Sequence, residues 1–308
     1  MEFPTGHGKA SFDAIYLKPD PRDYFAILGS LDYSIPDLAK PILRQLLGAW
    51  RQSTGRSATV LDLGSSYGFN AALLRYPLTF DMLRRRYSRP EMMSLTTDHL
   101  LRFDARYFEA WPRVSAERII ALDAAEPAVR YATAVGLVDE GIAADFERDP
   151  MTPSQARVLS GVDVVFSTGC VGYVGVKTFD ALLSAARSPW VISFVLRMYD
   201  YEAIEERLAR AGLITEKLLS IAFLQRRFRD EGEARHVLGR LAERGLDPTG
   251  LESDGLMVAE LYVSRPSEAV ARASLEELIT VTSGRNLNLG PRLVHLVRSG
   301  RTDFVGAR

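Results

Sequence analysis

The stretch TVLDLGSSYGFNAALL, residues 59–74, constrains the fold of this chain most strongly. An apolar run ends in a loop of small residues, and the loop leads into a segment that predicts a helix. Gly64 and Gly68 permit backbone angles and close approaches that other residues resist. Such a loop exposes backbone N–H groups beside a helix N-terminus, which suits an anionic or hydrogen-bond-accepting ligand. Alone it is a weak signal, because tight strand-to-helix turns also use glycine for packing.

Short apolar runs alternate with helical patterns after residue 58. The runs lie at 58–64, 118–124, 141–147, 161–169, 188–196, 216–228 and 256–265. This alternation predicts an α/β fold with a mostly parallel sheet and helices on both of its faces.

Three further regions flank or interrupt this pattern. Residues 1–55 predict an N-terminal helical cap on a domain that spans residues 56–265. The segment 77–115 is longer than a β-α-β connection requires and predicts two extra helices. It is either a lid over a site or a packing or dimer element. Residues 266–308 predict a helical tail for packing or dimerisation, which leaves a homodimer open.

Composition narrows the functional class. The chain has 308 residues, a formal net charge of -1 and one cysteine, Cys170. Near-neutral charge disfavours a nucleic-acid partner, and a single thiol cannot form an internal disulfide. No run of 18 apolar residues and no signal-peptide core occur, so we expect a cytoplasmic protein with no membrane partner. No metal site is predicted.

Chemically useful side chains follow the predicted strands. Asp123 ends the second strand, where a carboxylate can accept hydrogen bonds from a ribose diol or can cap the next helix. Asp145 and Phe146 follow the third strand, where they suit an adenine ring or are simply an acidic residue beside a core phenylalanine. Ser167, Thr168 and Gly169 end the fourth strand. Open α/β sheets place their ligands at such carboxyl ends.

Together these segments resemble the class I S-adenosylmethionine-dependent methyltransferase family. The matching segments are VLDLGSSYG, ALDAAEPAVRYA, AADFE and GVDVVFSTGCVGYV. The resemblance implies a Rossmann-like, seven-stranded, mostly parallel sheet with one antiparallel strand, and S-adenosylmethionine as cofactor. The cofactor contacts that it implies are Asp62, Gly64, Ser65, Ser66, Tyr67, Gly68, Asp123, Asp145, Phe146, Ser167, Thr168, Gly169 and Tyr33.

The first motif departs from the family at two positions. Ser66 occupies the place of the usual middle glycine, and Tyr67 that of a small residue, so that Tyr67 is expected near the methionine part of the cofactor. The spacing also differs from the G-x-G-x-x-G of nicotinamide-binding domains.

The resemblance implies in-line methyl transfer to a small-molecule acceptor, which releases S-adenosylhomocysteine. Tyr173 is the better placed candidate for orienting an acceptor or covering the sulfonium, with ordinary packing as the alternative. His99 is a candidate base if the 77–115 segment is a lid, and otherwise an exposed helical residue. Tyr24 and Tyr33 are candidates for closing the site. Two other functions stay open. One is a non-methylating use of S-adenosylmethionine, by aminocarboxypropyl transfer or intramolecular cyclisation with release of methylthioadenosine, and the other is an inactive subunit with the same fold.

Overall fold

The computed structural model describes residues 13–219, 221–281, 294–298 and 301–305. Ten strands form one sheet: β1 (Thr59–Leu63), β2 (Arg118–Asp123), β3 (Glu140–Ala143), β4 (Val164–Thr168), β5 (Trp190–Leu196), β6 (Leu213–Lys217), β7 (Ile221–Arg227), β8 (Leu256–Pro266), β9 (Val294–Arg298) and β10 (Arg301–Val305). The strand order is β10-β9-β7-β8-β5-β4-β1-β2-β3, and β6 also pairs with β8.

The predicted α/β class and the mostly parallel sheet are confirmed. Strands β1 to β5 are mutually parallel, and β8 is antiparallel to β5, β6 and β7. Strands β6 and β7 pair with successive parts of the same edge of β8, so they fill one strand position of the expected seven. The sheet is larger than predicted because β9 and β10 extend it beyond β7, and β9 is a second strand of opposite direction.

Fourteen α-helices and a short 3-10 helix (Glu252–Asp254) lie within the described part of the chain. The α-helices are α1 (Asp13–Tyr16), α2 (Arg22–Ser30), α3 (Ile35–Thr54), α4 (Phe69–Arg75), α5 (Phe80–Tyr87), α6 (Pro90–Met93), α7 (Thr97–Glu109), α8 (Glu126–Ala134), α9 (Pro153–Leu159), α10 (Val176–Ala185), α11 (Glu202–Arg210), α12 (Glu231–Glu243), α13 (Ser267–Arg272) and α14 (Leu275–Leu278). None of them has the length and apolar character needed to cross a membrane.

The tail differs from the helical prediction. It contains the short helices α13 and α14, followed by the antiparallel pair β9 and β10. The physical reason is visible in the sequence, because Ser299 and Gly300 separate two short runs that contain valine, leucine and phenylalanine. Short runs of such β-branched and aromatic residues favour strands over a continuous helix.

Alternating side chains of the parallel strands pack into cores on the two faces of the sheet. Val60 of β1 and Val164 of β4 join a core with α3 and α4. Leu61 of β1 and Val165 of β4 join a core with α9, α10 and α11. This burial on both faces is what the near-continuous apolar runs predicted.

The N-terminal helices and the insert share a third, aromatic-rich core. Rings from α2, α4 and α5 contact one another there, with Phe25 stacked on Tyr87 at 4.6 Å between ring centroids. The insert contains three helices rather than the predicted two. Buried Asp104 of α7 accepts hydrogen bonds from the Tyr87 hydroxyl at 2.8 Å and the Tyr131 hydroxyl at 2.7 Å, which ties the insert to α8.

Candidate active site

A cavity opens where the parallel strands β1 to β4 end, and the N-terminal helices close its other side. Its volume is about 220 Å³, many times the ~10–15 Å³ that one water needs on the same measure. Eleven of the candidate site residues predicted from the sequence line it: Tyr24, Tyr33, Gly64, Ser65, Ser66, Asp123, Asp145, Phe146, Thr168, Gly169 and Tyr173. The cavity is therefore large enough for an organic ligand.

The turn after β1 forms the floor of the cavity. Gly64 has φ 73°, and Ser66 has φ 51°, a left-handed conformation that is uncommon for serine. The Ser66 N–H donates to Asp123 Oδ2 at 2.8 Å, so the turn is held against the end of β2. The hydroxyl oxygens of Ser65 and Ser66 are buried and have no hydrogen-bond partner among the described residues. Such atoms in a cavity floor suit a polar ligand.

Asp123 faces the cavity from the end of β2. Its Oδ1 accepts from the Ala125 N–H at 2.8 Å, before helix α8 begins. Burial raises the pKa of Asp123, and the N–H groups of Ala125 and Ser66 oppose that rise. Each carboxylate oxygen has two lone pairs, so both can still accept hydrogen bonds from ligand hydroxyls.

Asp145 and Phe146 stand at the far wall, beside the end of β3. Asp145 Oδ1 accepts from the Glu147 N–H at 3.0 Å. Glu147 Oε1 in turn accepts from the Thr178 hydroxyl at 2.6 Å and from the N–H groups of Gly175 and Thr178 at 2.7 and 2.9 Å. Burial raises the pKa of Glu147, but these bonds outweigh it and lower the pKa. Glu147 therefore fixes the loop after β4 to the loop after β3 and keeps the wall closed.

Four tyrosines surround the opposite side of the cavity: Tyr16, Tyr24, Tyr33 and Tyr173. Burial raises the pKa of Tyr16 and Tyr24, and it raises the pKa of Tyr33 to about 12. These three phenols therefore stay protonated near neutral pH and can donate hydrogen bonds. Tyr173 stands at the mouth, with 44% of its surface exposed.

Tyr67 and Gly68 do not line the cavity, contrary to the expectation from the first motif. The Tyr67 ring turns into the aromatic core, where its hydroxyl donates to the carbonyl oxygens of Ile15 at 2.6 Å and Lys18 at 2.8 Å. Gly68 serves packing, because a Cβ there would lie 2.8 Å from the Cβ of Ala132. The left-handed turn at Ser66 directs the chain away from the cavity before these residues.

Asp62 and Ser167 also lie behind the cavity wall. Both are buried side chains within the strands, at 0% and 1% exposure. Asp62 Oδ1 accepts from Asn70 Nδ2 at 3.2 Å, and the same amide donates to Thr168 Oγ1 at 3.0 Å. Asp62 thus supports the lining residues Asn70 and Thr168.

His99 is separate from the cavity. It lies in α7 and faces a surface hollow together with Arg102 and Phe103. No described residue of the insert 77–115 lines the main cavity. The helices that close the cavity are N-terminal instead, so the position of His99 gives no support to its predicted role as a base.

Several lining residues were missed in the sequence. They include Tyr16, Asn70, Glu147, Arg148, Gln225 and Arg226. Only Gln225 and Arg226 could have been noticed in the sequence, because they directly follow the apolar run IAFL. Polar side chains that continue a buried strand often mark a functional site.

Asp62 gives a prediction for the pH dependence of stability. Burial raises its pKa to about 7; the hydrogen bond from Asn70 opposes the rise and the charge of Asp123 adds to it. A raised native pKa means that the folded state retains a proton between pH 4 and 7 that the unfolded chain releases, so stability falls as pH rises through this window. The ionised Asp62 carboxylate therefore costs the folded state at most about 4 kcal/mol of stability at pH 8. An asparagine at position 62 would avoid this cost, but its buried, unpaired amide would itself cost about 2 kcal/mol.

We therefore expect Asp62→Asn to be more stable than the wild type at pH 8, by on the order of 2 kcal/mol, and to lose this advantage near pH 4.5. Urea unfolding of the ligand-free proteins at both pH values measures it. Asp180→Asn, at an exposed aspartate outside the cavity, is the control. If the difference in unfolding free energy between Asp62→Asn and the wild type is the same at both pH values, then the pKa of Asp62 is not raised in the folded protein.

No family model and no curated protein match this chain. Solved structures do match. A TehB-like SAM-dependent methyltransferase from Corynebacterium glutamicum is 12% identical, over 71% of this chain and 86% of that chain, with a TM-score of 0.35. Precorrin-6y C5,15-methyltransferase from Geobacter metallireducens is 12% identical, over 68% and 80%, with a TM-score of 0.33. Magnesium protoporphyrin IX methyltransferase from Synechocystis, with bound SAM, is 10% identical, over 74% and 80%, with a TM-score of 0.35. No family membership follows from such values.

Proposed function

We propose that this chain binds S-adenosylmethionine and transfers its methyl group to a small-molecule acceptor, releasing S-adenosylhomocysteine. One observation carries the proposal. Four loops meet around a single cavity: those after β1, β2, β3 and β4. These are the same four segments whose sequences resemble the motifs of class I methyltransferases. Parallel strands bring these loops to one edge of the sheet, and the residues that line the cavity there, Gly64, Asp123 and Asp145 among them, are of the types that the motifs require.

The residues that line the cavity suit each part of this cofactor. Asp123 would accept from the two ribose hydroxyls, because its carboxylate faces the cavity with lone pairs to spare. Asp145 and Phe146 would hold the adenine, one by a hydrogen bond and the other by ring contact. The turn at Gly64–Ser66 would take the amino-acid part, where two serine hydroxyls lack a partner among the described residues.

Bound S-adenosylmethionine supplies an activated methyl group. The contribution of the chain is then mainly positioning, which can be worth ~7–11 kcal/mol of the barrier. The lining tyrosines Tyr16, Tyr24 and Tyr33 are protonated, and their phenols are donors that orient an acceptor rather than bases that deprotonate it. The N-terminal helices enclose this side of the cavity, which supports a small acceptor over a macromolecule.

Calorimetric titration with S-adenosylmethionine and S-adenosylhomocysteine, beside NAD, tests the proposal first. We expect micromolar binding of the two sulfur compounds, on the order of -8 kcal/mol, and none of NAD. Incubation with candidate acceptors then identifies the product by mass spectrometry. S-adenosylhomocysteine supports methyl transfer, whereas methylthioadenosine would mean that another group is transferred. Absence of binding by both sulfur compounds would overturn the proposal.

A further inference from the structure

Strand β7 contains a bulge beside the cavity. Leu224 pairs with Val258 and Arg226 pairs with Met257, so Gln225 is an extra residue in the ladder. A bulge interrupts the alternation of side chains between the two faces and redirects them. As a result Gln225 and Arg226, although adjacent in a strand, both line the cavity. Bulges are enriched next to active sites.

The amide of Gln225 is buried and incompletely bonded. Only 3% of its surface is exposed, and its Oε1 has no hydrogen-bond partner in the described part of the chain. Its Nε2 lies against Gly169, so closely that a Cβ at that position would collide with the nitrogen. Gly169 has φ 97°, so any other residue would be strained there as well as in collision. The fold keeps this amide against the end of β4 with its oxygen unsatisfied.

The backbone of the bulge is fixed to the segment that carries Tyr33. The Ser34 N–H donates to the carbonyl oxygen of Gln225 at 2.9 Å, and the Arg227 N–H donates to that of Leu31 at 2.7 Å. These two bonds hold the bulge beside the segment Leu31–Ser34. The neighbouring Arg226 forms a buried, two-pronged ion pair with Glu233, at 2.7 and 2.6 Å, which holds the bulge from behind.

The strand order places this corner on the far side of β4 from β1, β2 and β3, next to Gly169 of the fourth segment that resembles a cofactor motif. Strands β1, β2 and β3 lie on one side of β4, and β7 lies on the other, beyond β5 and β8. Gln225 reaches the cavity over Gly169 at the end of β4. The proposed contacts to ribose, adenine and the amino-acid part all lie on the β1 to β3 side, so the corner near Gln225 is left for the acceptor.

We propose that Gln225 determines acceptor specificity, in a subsite that takes a flat aromatic molecule carrying an O–H or N–H group. This inference rests on the proposed function. The ligand group donates to Gln225 Oε1, and its ring packs among Tyr16, Tyr24 and Tyr33, whose rings favour edge and offset contacts with another ring. A ligand without a hydrogen-bond donor would leave the buried amide oxygen unpaired. A site with such an oxygen therefore binds that ligand more weakly than one that carries a donor.

Paired probes test the subsite in the protein alone and in protein to which excess S-adenosylhomocysteine has been added. Phenol and anisole share a ring and differ in the donor; aniline and toluene are a second pair. Ligand-observed NMR titration gives the ratio of dissociation constants within each pair. We expect the donor-bearing member to bind about tenfold more tightly to the wild type. In Gln225→Met, which keeps the length and removes the oxygen, we expect a ratio below about threefold.

Two further measurements separate this role from a structural one. Because Gln225→Met removes an unsatisfied buried oxygen, its Tm should stay within about 2 °C of the wild type or rise; a larger fall would mean that the amide is structural. Gln155→Met, at a glutamine outside the cavity, is the matched control and should keep the wild-type ratio. Equal affinities within both pairs in the wild type, or a preference that survives in Gln225→Met, would overturn the inference.

The two proposals fail in different ways. Binding of S-adenosylhomocysteine is measured first and separately from the aromatic probes. If it does not bind while phenol is still preferred over anisole, the proposed function is wrong and the donor-recognising subsite stands. If it binds and no probe pair is discriminated, the acceptor class is wrong and the cofactor site stands.

Discussion

Asp123→Ala is expected to weaken S-adenosylhomocysteine binding by at least about 100-fold. The proposed contacts are two hydrogen bonds from ribose hydroxyls to a carboxylate, and bonds to charged groups contribute about 1.5–3 kcal/mol each. The change also leaves the N–H groups of Ser66 and Ala125 without the carboxylate to which they donate in the wild type. Asp123→Asn keeps one acceptor oxygen, so we expect an intermediate loss of about tenfold. Calorimetry with S-adenosylhomocysteine measures both.

The exposed Asp180 provides the control for the loss of a negative charge. It pairs with Arg207 outside the cavity, so Asp180→Asn should bind as the wild type does. Thermal unfolding of each variant establishes that it is folded. Binding by Asp123→Ala within threefold of the wild type would remove the ribose role of this carboxylate, whatever happens to the remaining proposal.

The parts of the site that the sequence predicted are those fixed by sheet topology. Parallel strands end at the same edge, so residues directly after them, such as Asp123 and Asp145, meet there whatever the helices do. The alternation of apolar runs with helical patterns likewise predicted a mostly parallel sheet with helices on both faces. These inferences need only the strand positions and no knowledge of how loops or helices pack.

The parts that were missed depend on backbone direction and long-range contact. Ser66 adopts φ 51°, so the following Tyr67 points into the aromatic core rather than toward a ligand. The bulge that brings Gln225 to the cavity is a register shift between β7 and β8, which β7 alone does not reveal. The sequence left both a lid role and a packing role open for the insert. The choice depends on which helices reach the cavity, and that is a long-range contact.

Gly64→Ala is expected to weaken cofactor binding strongly and to destabilise the fold. Gly64 has φ 73°, and its Cβ would lie 2.5 Å from the Cβ of Cys170. The left-handed backbone alone costs an alanine about 1–2 kcal/mol, and overpacking against a fixed neighbour adds about 1–3 kcal/mol. Because the turn is displaced at the floor of the cavity, we expect affinity for S-adenosylhomocysteine to fall at least about 100-fold.

Gly55→Ala separates the backbone strain from the collision. Gly55 ends α3 with φ 74°, nearly the angle of Gly64, and a Cβ there would meet nothing within 4 Å. We expect Gly55→Ala to lose only the backbone part, about 1–2 kcal/mol in urea unfolding, and to bind S-adenosylhomocysteine as the wild type does. A loss equal to that of Gly64→Ala would mean that the conformation, and not the neighbour, makes glycine necessary at position 64.

The collision can also be relieved from the other side. Cys170→Gly removes the Cβ and Sγ that the new methyl group would meet and leaves only the Cα, at 3.9 Å. In the double variant with Gly64→Ala we therefore expect about 1–3 kcal/mol less destabilisation than the sum of the single changes. At least tenfold of the lost affinity should return with it. If the effects of the two single changes simply add, in stability and in affinity, then Cys170 does not limit the space at Gly64. In that case the floor of the cavity does not depend on the close approach of the ends of β1 and β4.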